Sequence, residues 1–262
     1  MPYHKIDDDV LKDPVFHKSL IAIAKDAGEK IMEIYNSHDF GVEIKDDDSP
    51  LTKADIAANL IIENGIAKLT PSIAIISEEN ISQLEKINPS DMYWLIDPLD
   101  GTKEFIKRNG GFTVNIALIH NGSPVFGVVY APASGLIYWG GALIGAWKND
   151  GKIREEISVC KTGSKVRIVA SASHLNDETK DFIEKYANAE LVQVGSSIKI
   201  CMIADGRADL YPRLAPTCEW DTAAADAVLR GAGGMLFQTC GTPLQYGKKE
   251  ILNPSFIGRG LS

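Results

Sequence analysis

The stretch that most constrains this chain covers residues 112–147. Four apolar, strand-like segments lie in it, at 113–119, 125–130, 136–139 and 143–147. They are separated by Asn121-Gly122, by the run from Pro132 to Gly135 and by Gly140-Gly141. Connections that short turn each strand back beside the last, so the spacing predicts an antiparallel meander. Helices must cover it. Phe16, Leu20, Ala24, Ala27, Ile31 and Tyr35 recur at helical spacing and predict a long helix ending near Asn36 and Ser37. A second helix is expected to open at Thr52 and to carry apolar positions as far as Leu69. Residues 73–76 and 92–96 are short continuous apolar runs, the pattern of buried strands.

Beyond about Lys152 the rhythm changes to strand 166–170, helix 177–187, strand 191–194, helix 197–204, a strand at Leu210 and helix 222–232. Alternation of that kind indicates an α/β half. The expected organisation is an α+β N-terminal domain over 1–155 and an α/β C-terminal domain over 156–262, with a cleft at their junction. The balance of 27 Lys+Arg against 35 Asp+Glu lacks the basic excess that a nucleic-acid polymer demands. No apolar run approaches the ~20 residues of a membrane-spanning helix. Residues 1–13 are polar and acidic, unlike a signal peptide. Cys160, Cys201, Cys218 and Cys240 show no paired spacing, which fits reduced thiols in a cytoplasmic protein.

The acids are informative by position. Asp55 falls in one helical stripe with Leu51, Ala58, Ile62, Ile66 and Leu69, on the inward side of the second helix. It also stands three residues after Thr52, where its carboxylate can close a capping box, and both readings stand at this point. The runs 73–76 and 92–96 lead into Ser77-Glu78-Glu79 and Asp97-Pro98-Leu99-Asp100-Gly101-Thr102. Asp-Pro and Asp-Gly are turn dipeptides, so the second strand is expected to stop at Ile96. Turn chemistry leaves unexplained why both strands deliver acids at the same end. Gathered there, Glu78, Asp97 and Asp100 would repel one another unless cations lay between them, and hard oxygen ligands suit Mg²⁺. Asp221, in step with Ala225, Val228 and Ala232, is alone an ordinary helix-start acid. Joined to the others it can close a second metal position. Gly101-Thr102 offers close backbone approach and a hydroxyl to a phosphate.

Competing signatures are missing. Pro98 stands where an aspartate-nucleophile phosphatase needs an acid. No P-loop, zinc-binding His pattern or Gly-x-Ser-x-Gly elbow is present.

Taken in order, Asp55, Glu78-Glu79, the Asp97 to Thr102 run, Trp220-Asp221 and Gly233-Gly234 resemble the pattern of the inositol-monophosphatase-like superfamily of Mg²⁺-dependent, lithium-sensitive phosphatases. Finer features are similar to its 3'(2'),5'-bisphosphate nucleotidase branch. These are Lys45-x-Asp47-x-Ser49-Pro50, Lys103-Glu104-Phe105 and Gly195-Ser196-Ser197-Ile198-Lys199. Ala208 to Arg213, Pro243-Leu244-x-Tyr246 and Asn253-Pro254 belong with them. Ala172 departs from the branch, which commonly has Arg there, and Gly247 replaces a common Asn.

The resemblance implies a layered αβαβα sandwich, the sugar-phosphatase fold, and conversion of adenosine 3',5'-bisphosphate to AMP and phosphate in support of sulfate assimilation. The 5'-phosphosulfate analogue is a further candidate substrate. It implies one Mg²⁺ on Glu78, Asp97 and the Leu99 carbonyl, a second on Asp97, Asp100 and Asp221, and a weaker third near Glu78 and Asp55. Paired divalent ions activate a water and clamp the attacking and departing oxygens. Asp55, with Thr102 beside it and Glu78 nearby, is the candidate to deprotonate that water. Leu99, Asp100, Gly101, Thr102, Gly195, Ser196, Ser197, Lys199, Arg213 and Asp221 are the candidate substrate contacts. For Lys199 the alternative is a solvated helix side chain, and for Tyr211 it is core packing. A cytoplasmic monomer or homodimer is expected, and peripheral association with the inner face of the cell membrane stays open. Two other functions remain: an inositol- or fructose-1,6-bisphosphate-directed phosphatase on the same scaffold, and a non-catalytic nucleotide or metal sensor. A sensor would not need Asp55.

Overall fold

The computed structural model describes residues 2–37, 40–44, 50–88, 90–171 and 176–261. In chain order the elements begin with α1 (Asp8–Lys12), α2 (Pro14–Tyr35), β1 (Glu43–Ile44), β2 (Pro50–Leu51), α3 (Lys53–Leu69) and β3 (Ala74–Ser77). Then come β4 (Met92–Asp100), α4 (Thr102–Ile106), β5 (Thr113–His120), β6 (Ser123–Ala131), β7 (Leu136–Gly141), β8 (Gly145–Asn149) and β9 (Arg154–Ile157). The second half holds β10 (Arg167–Ser171), α5 (Asp177–Glu184), β11 (Glu190–Val194), α6 (Ile198–Ala204), β12 (Leu210–Arg213), α7 (Trp220–Gly231), β13 (Gly234–Gln238) and β14 (Phe256–Gly260).

Local chemistry sets the helix starts. Asp13 accepts the Val15 N–H with Pro14 at the first helical position of α2, and Thr52 accepts the Ala54 N–H at the start of α3. The predicted meander forms as β5 to β8 and extends to β9, giving a seven-stranded sheet in sequence order from β3. Only β3 and β4 run parallel in it; every other neighbouring pair is antiparallel. The second sheet has the order β11-β10-β12-β14-β13.

Alternation along β4 builds the layers. Trp94 and Ile96 enter a core with Phe16 and Leu20 of α2 and Ile62 of α3. Tyr93 and Leu95 point the other way, into a core with Ile200 of α6, Val228 of α7, and Leu236 and Phe256 of the second sheet. Helix α5 packs beyond that sheet, against β12. The result is the αβαβα sandwich. Helix α7 reaches its position because Gly127 of β6 has no side chain: a Cβ there would lie 2.1 Å from the Ala224 carbonyl oxygen.

Two expectations need correction. Strand β4 does not stop at Ile96 but runs on to Asp100, through Pro98. The register pairs Asp97 with Asn115 and Asp100 with Thr113, so β4 carries one extra residue between them. A bulge leaves that residue outside the ladder, where a proline without an N–H does no harm. In addition, β9, β13, β14 and the short α4 were not anticipated. Despite Gly234, Gly258 and Gly260, which strands disfavour, β13 and β14 pair along their whole length.

Candidate active site

The bulge decides which way the acids of β4 point. Residues three apart in a regular strand face opposite sides. With one residue bulged out, Asp97 and Asp100 both sit opposite residues on one face of β5, Asn115 and Thr113. That face looks toward α7, whose first turn carries Asp221. One carboxylate oxygen each from Asp97, Asp100 and Asp221 therefore falls within 4.8 Å of the others. Glu78 follows β3, docked by its N–H on the Ile96 carbonyl at 3.1 Å, and lines the same cleft.

The electrostatics are those of crowded like charges in a dry place. Burial pushes the Asp97 carboxyl well above the ordinary carboxylate range, and Glu78, Asp100, Asp221 and Asp55 push it further. Asp221 is raised to about 8, by burial first and then by Asp100 and Glu78. Asp100 is raised by burial, against the pull of Lys199 and of the Ser197 N–H, which donates to Asp100 Oδ2 at 2.6 Å. Asp97 Oδ1 accepts the Leu99 N–H at 3.0 Å, while its Oδ2 is buried with no hydrogen-bond partner. An orphaned carboxylate oxygen inside a cluster of oxygen donors fits a hard divalent cation such as Mg²⁺.

These shifts give a stability test. The folded carboxyls hold protons that the unfolded chain, with ordinary pKa values, has released. Ion-free stability is therefore lost as pH rises from the unfolded carboxylate range through about 8. In chelator, melting temperature is expected to be lower at about pH 9 than at about pH 6, and Mg²⁺ to restore more at the higher pH. A pH-independent melting temperature in chelator would contradict the cluster's electrostatics.

Asp55 satisfies both of its readings at once. Its Oδ2 closes the capping box with the Thr52 N–H at 2.7 Å and the Thr52 hydroxyl at 2.6 Å. Its Oδ1 lies 3.2 Å from the Thr102 hydroxyl, which is also 3.3 Å from the Leu99 carbonyl oxygen. Burial, aided by Glu79, raises its carboxyl to about 6 against the opposing pull of Thr52. Gly101, at φ +96°, turns the chain from β4 into α4, and a Cβ there would stand 2.9 Å from the Gly111 carbonyl oxygen.

The opposite wall comes from the second half. Leu99, Asp100, Gly101, Thr102, Gly195, Ser196, Lys199, Arg213 and Asp221 all line one cleft of about 190 Å³. Ser196 is a non-glycine residue at φ +52°, and its buried hydroxyl has no partner. Strain and an orphaned polar atom together mark a place built for a ligand. Lys199 is not solvated: at 4% exposure its Nζ donates to the Ser196 carbonyl at 2.5 Å, and burial lowers it to about 8. Arg213 donates to the Ala215 and Pro216 carbonyls at 3.0 and 2.8 Å. Tyr211 packs edge-on against Phe256 and also lines the cleft.

Ser197 lines the same cleft, and its hydroxyl donates to Asn115 Oδ1 at 2.7 Å. Thr113 and Asn115 went unnoticed as partners of Asp100. The signal was available: two polar residues at alternate positions at the start of a largely apolar strand. Lys45, Asp47, Ser49 and Ala172 lie outside the described residues.

The inositol monophosphatase family model matches residues 14–260. The 3'(2'),5'-bisphosphate nucleotidase CysQ of Escherichia coli O6:H1 is 45% identical over 236 residues, covering 89% of this chain and 95% of the relative. The corresponding protein of Buchnera aphidicola is 42% identical, covering 91% and 89%. Among solved structures, CysQ from Bacteroides thetaiotaomicron superposes with a TM-score of 0.84 at 42% identity, over 94% of this chain and 97% of that one. The Thermotoga maritima IMPase gives 0.79 at 26% identity, over 94% and 92%. With matches of this extent the chain belongs to the inositol monophosphatase family.

Proposed function

We propose that the protein hydrolyses the 3'-phosphomonoester of adenosine 3',5'-bisphosphate, giving AMP and phosphate, and accepts the 5'-phosphosulfate analogue as well. The observation that carries this reading is one cleft that sets a carboxylate cluster against two buried cations, Lys199 and Arg213. The cluster can present Mg²⁺ to the scissile phosphate while the cations meet the second phosphate. An inositol monophosphate has no second anion to use them. The likeness to curated nucleotidases over most of the chain supports the same choice.

Glu78, Asp97 and the Leu99 carbonyl would hold one Mg²⁺, and Asp97, Asp100 and Asp221 another, with a weaker third site beside Glu78 and Asp55. When bound, Mg²⁺ supplies charge neutralisation and Lewis acidity at the phosphate. Asp55 takes the proton of the attacking water, and a carboxyl near 6 is well matched to that work around neutral pH. Thr102 holds Asp55 in position. The water oxygen forms a bond to phosphorus, the ester P–O bond breaks, and the released ribose oxygen takes up a proton from solvent. The backbone N–H groups of Gly101 and Thr102 receive the phosphate oxygens. Gly195 seats the opposite wall against the Gly111 carbonyl, which a Cβ would meet at 2.5 Å, and the Ser196 hydroxyl meets the nucleoside or its 5'-phosphate. Lithium inhibition and a place in sulfate assimilation belong to the same reading. Among the described residues no helix is long and apolar enough to cross a membrane.

Phosphate release with Mg²⁺ should be measured in parallel on adenosine 3',5'-bisphosphate, inositol 1-phosphate and fructose 1,6-bisphosphate. The bisphosphate nucleotide is expected to be preferred by at least about tenfold in kcat/KM, a difference of ~1.4 kcal/mol. Preference for either sugar phosphate would overturn the substrate assignment and leave the fold untouched.

A further inference from the structure

The C-terminal segment from Tyr246 to Asn253 forms no regular element, yet it is bonded along its length to the chain just before and within the first turn of α7. The Asn253 N–H donates to the Thr217 carbonyl at 2.8 Å and the Glu219 N–H to the Ile251 carbonyl at 2.9 Å, around an antiparallel bridge between Cys218 and Leu252. The Asn253 side chain donates to the Cys218 carbonyl at 2.8 Å and reaches the Thr222 hydroxyl at 3.1 Å. A carbonyl can only accept, so the amide orientation is set by this contact. Cys218 in turn donates its N–H to Asp221 Oδ2 at 2.8 Å. On the other side Glu219, fully buried, accepts the Gly247 N–H at 2.7 Å, the Lys248 N–H at 3.1 Å and the Lys248 ammonium.

We propose that this segment is a strap that aims Asp221 into the acid cluster, with Asn253 and the Lys248–Glu219 pair as positioning residues. Neither touches a substrate. Asn253 acts through Cys218, whose carbonyl it grips and whose N–H grips the carboxylate, while the Lys248–Glu219 pair holds the strap to the start of α7. Hydrogen bonds that orient an ion-holding carboxylate usually change ion affinity by about 10–100-fold when removed. The proposal rests on Asp221 as an ion ligand.

The test is calorimetric titration of Mn²⁺ into the full-length protein, with no substrate present. Asn253→Ala is expected to weaken binding about tenfold. Lys248→Met, which leaves both backbone contacts to Glu219, is expected to weaken it about threefold, with recovery in Lys248→Arg. Isotherms within about twofold of the parent in both Asn253→Ala and Lys248→Met would overturn the strap, even with a lowered melting temperature. If Asn253→Ala does not fold, the two Lys248 variants decide alone. Asp221→Asn separates the two levels: unchanged Mn²⁺ binding there sinks the ligand assignment, whereas weakened binding there with unchanged strap variants sinks only the strap.

Discussion

An Asp97→Asn protein is expected to lose turnover by at least about 10³-fold while becoming more stable than its parent at about pH 9 in the absence of divalent ions. Both effects follow from one geometry. Asp97 is fully buried, faces Glu78, Asp100, Asp221 and Asp55, and leaves one carboxylate oxygen without a hydrogen-bond partner. Asn keeps the shape and removes the charge, so the repulsion is relieved where no cation offsets it. Melting temperature in chelator should rise by about 2–4 °C for each kcal/mol relieved. With Mg²⁺ in excess the order should reverse, because the parent gains more from the ion than the variant can. Near-normal phosphate release, or a variant less stable than the parent in chelator at about pH 9, would refute the placement of Asp97 at the centre of the ion site.

The second large effect is expected far from the reacting atoms. Gly127→Ala places a methyl 2.1 Å from the Ala224 carbonyl oxygen and 2.9 Å from its Cα, both backbone atoms of α7. No rotamer change relieves a clash between backbone and Cβ, so α7 must move off the sheet or the strand must buckle. A loss of about 3 kcal/mol or more is expected, lowering the melting temperature by roughly 6–12 °C. Because α7 carries Asp221, ion binding should weaken as well, at temperatures where the variant is still folded. Gly163→Ala is the matched control: a Cβ there meets nothing within 4 Å, and its change should stay within about 0.5 kcal/mol. Equal stability of the two variants would contradict the close seating of α7.

How much of this was legible in the residues differs between helices and strands. Helix α2, the Thr52 cap of α3 and the meander could be read because each rests on contacts between residues close in the chain. The acid set could be read as a set because two strands delivered carboxylates at the same end. What could not be read was the path of β4. Pro98 announces a turn, and only pairing with β5 shows that the strand passes straight through it. The glycines of β13 and β14 are tertiary features as well. They are small where neighbours come close, as at Gly234 beside the Arg259 carbonyl, and nothing local says so. The partners of Asp100 came from Thr113, Asn115 and Ser197, two strand residues and one turn brought together from both halves of the chain. For Lys199 the alternative of a solvated helix side chain could not be dismissed from sequence, because its burial is made by the tertiary wall around it.

The bulge in β4 also has the logic of a parity check. A strand counts its residues in twos, so two acids an odd number of positions apart are sent to opposite faces unless one extra residue flips the count. The extra residue between Asp97 and Asp100 is that flip. Were the strand regular over these four residues, one of the two carboxylates would face the apolar layer under α2 and α3. Two acids spaced three apart at the end of a buried strand, with a proline between them, therefore mark an irregular strand as much as an ion site.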